Sequence, residues 1–85
     1  MKDKISNYIG NEILSGQDQL IAFDEDLLTS GILDSLSVMK LITYIEKEFN
    51  VQVSPSEMTV DNFITVNAIS IFIQKKLSDN VLKAS

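Results

Sequence analysis

The stretch DSLSVMKLITYIEKEFN, Asp34 to Asn50, decides the fold. Val38, Leu41, Ile42, Ile45 and Phe49 fall at i, i+3, i+4, i+7 and i+11, the spacing that lines apolar side chains along one face of a helix. The stretch begins on Asp-Ser, residue types whose side-chain oxygens accept hydrogen bonds from the first free N–H groups of a helix. It ends on Asn50, which tolerates the left-handed backbone of a helix stop. The spacing therefore predicts a helix from Asp34-Ser35 to about Phe49, with Leu36 and Met39 turned toward another face near its start.

Upstream, Ile5, Tyr8, Ile9 and Ile13 repeat at helical spacing after Asp3, read as the N-cap, and the segment is expected to end before Gly16. Gly10 inside it costs about 1 kcal/mol relative to Ala, so this helix must lean on packing. Downstream, Ser54-Pro55-Ser56-Glu57 has the form of a capping box with proline at the first helical position. Thr59 to Phe63 reads as a further short turn. Thr65 then caps a last helix whose stripe is Val66, Ile69, Phe72, Ile73 and Leu77. Val51-Gln52-Val53 is too short to compete as a strand. The reading is an all-α fold, a four-helix bundle in one domain over residues 1–85, with a long loop between the first two helices and a short third helix. Residues 17–34 form that loop, and Leu27, Leu28, Ile32 and Leu33 should pin it to the core.

Composition removes several classes of function. At 85 residues and 9.5 kDa, the chain makes about one small domain with no room for a large catalytic cleft. The sequence holds no Cys, His or Trp, which excludes thiolate nucleophiles, disulfides, soft metal sites and a Ser-His-Asp triad. An enzyme is not expected, because Lys40 is the only base near Asp34 and Ser35. Asp24-Glu25-Asp26 lacks the alternating oxygen ligands and the glycine of a calcium loop, so it reads as solvated charge and no metal is expected. No stretch has the length or apolarity of a signal or membrane span, which points to a soluble cytoplasmic monomer.

Net charge is −5, and residues 12–61 hold ten acids against Lys40 and Lys47, a balance of −8. Such a chain is a poor partner for nucleic acid, which is held through cations, and arginine is absent. A basic patch on another protein is the better match. Within this acidic middle, Gly31-Ile32-Leu33-Asp34-Ser35-Leu36 is the one place where a hydroxyl opens a helix after a glycine-containing loop. Backbone N–H groups and the helix dipole favour a negative group there. On the dipeptide alone, a plain N-cap at Asp34 or Ser35 is the commoner explanation.

Asp26-Leu27-Leu28, Gly31, Leu33-Asp34-Ser35-Leu36, Leu41, Ile45-Glu46, Phe49, Val51 and Val53 together resemble the acyl and peptidyl carrier protein family, over about Phe23 to Ile73. In that family the serine of a D-S-L motif opens the second of four helices. The resemblance implies an acyl-carrier type of bundle with Ser35 as the attachment site of a covalent 4′-phosphopantetheine arm taken from coenzyme A, and Asp34 as its motif neighbour. The arm's thiol would hold an aminoacyl or acyl cargo as a thioester, which fits the absence of Cys.

The implied partners are a phosphopantetheinyl transferase, an adenylate-forming loading enzyme, and downstream tailoring or condensing enzymes. They would be met through Leu36, Met39 and Lys40. Lys40 stands where fatty-acid synthesis carriers commonly have an acid, and modular peptide synthetase carriers usually read G-G-x-S-L here. Thr59-Val60-Asp61-Asn62-Phe63 with Thr65-Val66 is similar to free-standing carriers of amino acids, so D-alanyl and other aminoacyl carriers are the nearest types. Two alternatives stay open: a fatty-acid or polyketide acyl carrier, and a helical protein-binding adaptor that no longer carries an arm.

Overall fold

The computed structural model describes residues 1–14 and 21–84, the last five of these by their backbone alone. Among the described residues there are four α-helices and no strand: α1 (Lys2–Tyr8), α2 (Ser35–Phe49), α3 (Val60–Phe63) and α4 (Val66–Ala84). α1 opens two residues earlier than expected, with Met1 rather than Asp3 at the N-cap. Asp3 lies in the first turn instead, where its charge complements the dipole. The helix continues as a π-helical turn, Ile9–Ile13, in which Gly10 is buried. The glycine, which holds α geometry least firmly, falls where the bonding widens. The expected stop at Gly16 lies outside the described residues.

α2 begins and ends as its sequence requires. Asp34 is the N-cap, its carboxylate accepting from the Ser37 backbone N–H at 2.8 Å, and Asn50 is left-handed at φ 56°. Leu41, Ile42 and Ile45 are buried, but Val38 and Phe49, the two ends of the expected stripe, are only half-buried. For Phe49 the reason is where α1 lies. It runs antiparallel to α2, with Lys4 Nζ 2.8 Å from Glu48, the Tyr8 ring stacked on Tyr44 at 4.1 Å, and the Tyr8 hydroxyl donating to the Lys40 carbonyl at 3.3 Å. Phe49 joins the margin of this aromatic seam, edge-on to Tyr44 at 6.4 Å, rather than the centre of the core.

The centre is built by Ile5 of α1, Ile9 of the π-helical turn, Leu41 and Ile45 of α2, Phe63 of α3, and Val66, Ile69 and Ile73 of α4. The loop before α2 is pinned as its apolar residues require. Leu27 and Leu33 are buried, Leu27 N–H donates to the Ile64 carbonyl and Leu33 N–H to the Leu27 carbonyl, both at 2.7 Å, and Asn67 N–H donates to the Phe23 carbonyl. Asp26 departs from the solvated-charge expectation for the acidic triplet. Asp24 and Glu25 are exposed, whereas Asp26 is half-buried and its carboxylate accepts from the Thr29 hydroxyl and from the Leu28 and Thr29 N–H groups. These donors, led by Thr29, hold its pKa below the ordinary range. Nothing in a run of three acids distinguishes the one that folds the loop.

After α2, the chain makes a 3₁₀ turn, Pro55–Glu57, in which Glu57 accepts from the Ser54 N–H at 2.9 Å, the capping-box contact. Thr59 caps α3, and the Thr65 hydroxyl accepts from the Ala68 N–H at 3.0 Å at the head of α4. Glu57 also pairs with Lys76 of α4 at 2.7 Å, which ties the turn to the bundle. The Lys76 ammonium, followed by the Ser54 N–H, lowers the Glu57 pKa. A carboxylate whose folded pKa is depressed contributes stability above its ordinary value of 4.5 and loses it as pH falls through the folded value. Lys76→Gln is therefore expected to lower stability at neutral pH by no more than about 1 kcal/mol, with the gap to wild type closing below 4.5. Urea melts at both pH values check it; a gap that persisted in acid would remove the ion pair as its cause.

Candidate functional site

Ser35 is the first residue of α2 and is exposed. The division of labour around it follows from the cap. Asp34 satisfies the Ser37 N–H, and that hydrogen bond, with the Ser37 side chain next in weight, holds the Asp34 pKa below the usual carboxylate range. The Ser35 hydroxyl is left with no hydrogen bond to another described residue. The neighbouring serines differ: Ser37 is half-buried, and the Ser30 hydroxyl donates to the Asp26 carbonyl within the loop. Of the three, Ser35 is the one whose oxygen is both accessible and uncommitted. Gly31, at φ +85°, takes the left-handed turn that brings the loop to the helix start.

Ser35 also lines a hollow of about 630 Å³ between the head of α2 and the α3 region. Its apolar walls are Leu28, Leu33, Val38, Met58, Val60 and Phe63. Met58 and Val60 are exposed. They belong to the site's surroundings, though sequence reading passes over them: they flank the cap residue Thr59 and fall on no helical stripe, so only the fold brings them to Ser35. A larger hollow of about 750 Å³ lies elsewhere, bounded by Glu46, Val53, Glu57 and Lys76. Within it Glu46 accepts from the Val53 N–H and Glu57 pairs with Lys76.

The other residues expected at the site fall as follows. Leu36 is 69% and Met39 51% exposed, so Met39 is a surface side chain and no core filler. Lys40 is exposed one turn beyond Leu36. Among the described residues no group of three or more acidic side chains is placed to hold a metal ion, and no helix is long and apolar enough to cross a membrane.

The arrangement fits a phosphate ester on Ser35: an uncommitted primary hydroxyl at the N-terminus of a 15-residue helix, facing solvent beside an apolar hollow in which a flexible substituent finds contacts. Comparison with known proteins identifies the family. Residues 9–73 match the family model for a phosphopantetheine attachment site. A D-alanyl carrier protein of Lactococcus lactis subsp. cremoris (strain MG1363) is 37% identical over 81 residues, covering 94% of this chain and 100% of its own. One of Streptococcus suis (strain 98HAH33) is 35% identical over 69 residues, covering 81% and 85%. A solved structure described as an FAD-dependent dehydrogenase contains a chain that superposes with a TM-score of 0.75 at 29% identity, over 81% of this chain and 97% of that one. The matched chain is thus of similar size to this one.

Proposed function

Because the chain belongs to the phosphopantetheine-attachment family of carrier proteins, we propose that Ser35 is the residue that bears the arm. The protein is a carrier with a covalent 4′-phosphopantetheine group, working in a biosynthetic pathway. The observation that carries the choice of residue is the uncommitted, exposed hydroxyl of Ser35 at the head of α2, within the matched span.

In the attachment step, Ser35 Oγ attacks the coenzyme A phosphorus nearest the pantetheine. A serine phosphodiester forms, the bond to adenosine 3′,5′-bisphosphate breaks, and the hydroxyl proton leaves to a base on the transferase. Once bound, the arm supplies a terminal thiol that holds cargo as a thioester. The carrier's own residues do the rest: they fix the attachment point at a rigid helix end, and they present a surface for successive enzymes, so that tethering raises the cargo's effective concentration at each. The chain itself catalyses nothing.

The relatives named as D-alanyl carriers support an aminoacyl cargo of the D-alanine class, loaded by an adenylate-forming ligase. This reading places the carrier in the cytoplasm, where coenzyme A and ATP are at hand. Incubation with coenzyme A and a broad-specificity transferase, followed by intact mass, tests it. The holo chain is then offered D-alanine, other amino acids and fatty acids with their ligases. An unchanged mass would leave the helical adaptor, and loading by a fatty acid alone would leave the acyl carrier.

Leu36 and Met39 flank Ser35 on the exposed side of α2 and support a docking role. Leu36→Asp and Met39→Asp are expected to slow arm transfer or loading while changing stability by no more than about 0.5 kcal/mol, the usual range for exposed positions. Transfer kinetics and thermal melts of the same samples check both halves. A large fall in melting temperature would make these residues part of the core.

A further inference from the structure

The two walls of the hollow beside Ser35 are attached to the bundle very differently. The loop wall is tied in: Leu27 and Leu33 are buried, and the Leu27 N–H donates to the Ile64 carbonyl at 2.7 Å. The opposite wall is carried by residues 54–61, and every one of these from Ser54 to Asp61 is exposed except Glu57. Core packing therefore does not hold this stretch. Apart from bonds within α3, its hydrogen bonds run among its own residues and Asn62. The Glu57, Met58 and Thr59 N–H groups donate to the Ser54, Pro55 and Glu57 carbonyls, and Asn62 Nδ2 donates to the Glu57 carbonyl. Among the described residues one bond leaves the stretch for the rest of the fold: Lys76 Nζ of α4 donates to Glu57 Oε1 at 2.7 Å. The same oxygen accepts from the Ser54 N–H and hydroxyl, so this one contact also holds the start of the turn.

Buried anchors stand on either side, Val53 with its N–H on the Glu46 carboxylate at 2.9 Å, and Phe63. The stretch also divides two hollows. Ser54, Ser56 and Glu57 line the larger one together with Lys76, whereas Met58, Thr59 and Val60 line the one beside Ser35. We infer that residues 54–61 are a strap hinged at Val53 and Phe63, and that the Glu57–Lys76 pair is the latch that holds it over the hollow beside Ser35. Breaking the pair lets the strap swing out while the bundle stays folded, because a segment with few buried contacts opens at less cost than a core. The room beside Ser35 is thus set by an ion pair on the far side of the strap. The latch is a property of the bare chain and does not depend on Ser35 bearing an arm.

The sequence holds no Cys, so Ser56→Cys on the strap and Thr43→Cys on α2, both at exposed positions, carry a pair of spin labels without competition. Pulsed dipolar spectroscopy of the bare chain then reads the strap against α2. A second distance, a minor part of the distribution in the parent chain, is expected to grow about two- to fivefold when Lys76→Gln is added, in keeping with a partly exposed pair. Lys76→Arg should restore the parent distribution. The Lys76 and Glu57 side chains are 22% and 31% exposed, so about 1 M salt should move the parent toward Lys76→Gln and leave Lys76→Gln unchanged. In the unlabelled chain, amide exchange of Ser54, bonded to Glu57, should quicken in Lys76→Gln, a check free of the labels. An unchanged distribution or unchanged Ser54 exchange in Lys76→Gln would overturn the inference. So would a change that Lys76→Arg shares, or one accompanied by loss of the helical circular dichroism signal, which would make the pair a support of the whole bundle.

Discussion

Ser35→Ala is expected to leave the chain wholly without the arm, an all-or-none change in intact mass after incubation with coenzyme A and a transferase. No other described hydroxyl nearby is equivalent. Ser30 is committed to the Asp26 carbonyl, and Ser37 is half-buried within the first turn of α2. The substitution should spare the fold, because the cap of α2 is the Asp34 carboxylate and not the serine. Removing an exposed hydroxyl with no partner is expected to shift stability by less than about 0.5 kcal/mol. Ser30→Ala and Ser37→Ala should still take the arm. Retention of the mass increase in Ser35→Ala, or its loss in Ser37→Ala, would move the site.

The largest effect on stability is expected at Phe63. Its side chain is 2% exposed and meets Phe72 edge-on at 5.6 Å, joining α3 to α4 where the loop residue Leu27 also bonds the chain through Ile64. Phe63→Ala removes an aromatic ring and leaves a cavity in one of the few places where three segments meet, at a cost of about 3–5 kcal/mol. A small domain holds about 5–15 kcal/mol in all and this one is near the lower end, so the variant should be largely unfolded or close to it at 37 °C. Urea denaturation followed by circular dichroism measures it, and a loss under about 1 kcal/mol would remove Phe63 from the core. Phe49→Ala, by contrast, is expected to cost less than Phe63→Ala, because Phe49 is only half-buried at the margin of the Tyr8 and Tyr44 stack.

What the sequence alone determined is what depends on local spacing and local hydrogen bonding. The period of Leu41, Ile42 and Ile45 makes α2 whatever packs on it, and Asp34 and Asn50 bound it because capping and the left-handed stop involve only neighbouring backbone. Thr59, Thr65 and the pair Ser54 and Glu57 start their segments for the same reason. The position of Ser35 at a helix head was legible with them. Which side of each stripe is covered was settled by packing between the helices. Val38 and Phe49 match the period of the core yet sit at its margin, Phe49 beside the Tyr8 and Tyr44 stack and Val38 at the hollow near Ser35. Met39 could have filled a core gap, and its exposure follows from the absence of any described element over that flank of α2. Asp26 differs from Asp24 and Glu25 only in having Leu28 and Thr29 folded back onto it. The hollow beside Ser35 joins Leu28, Val38 and Val60, segments distant in sequence. A single residue's spacing carries no information about such meetings, since they are fixed by how the helices close around a shared core.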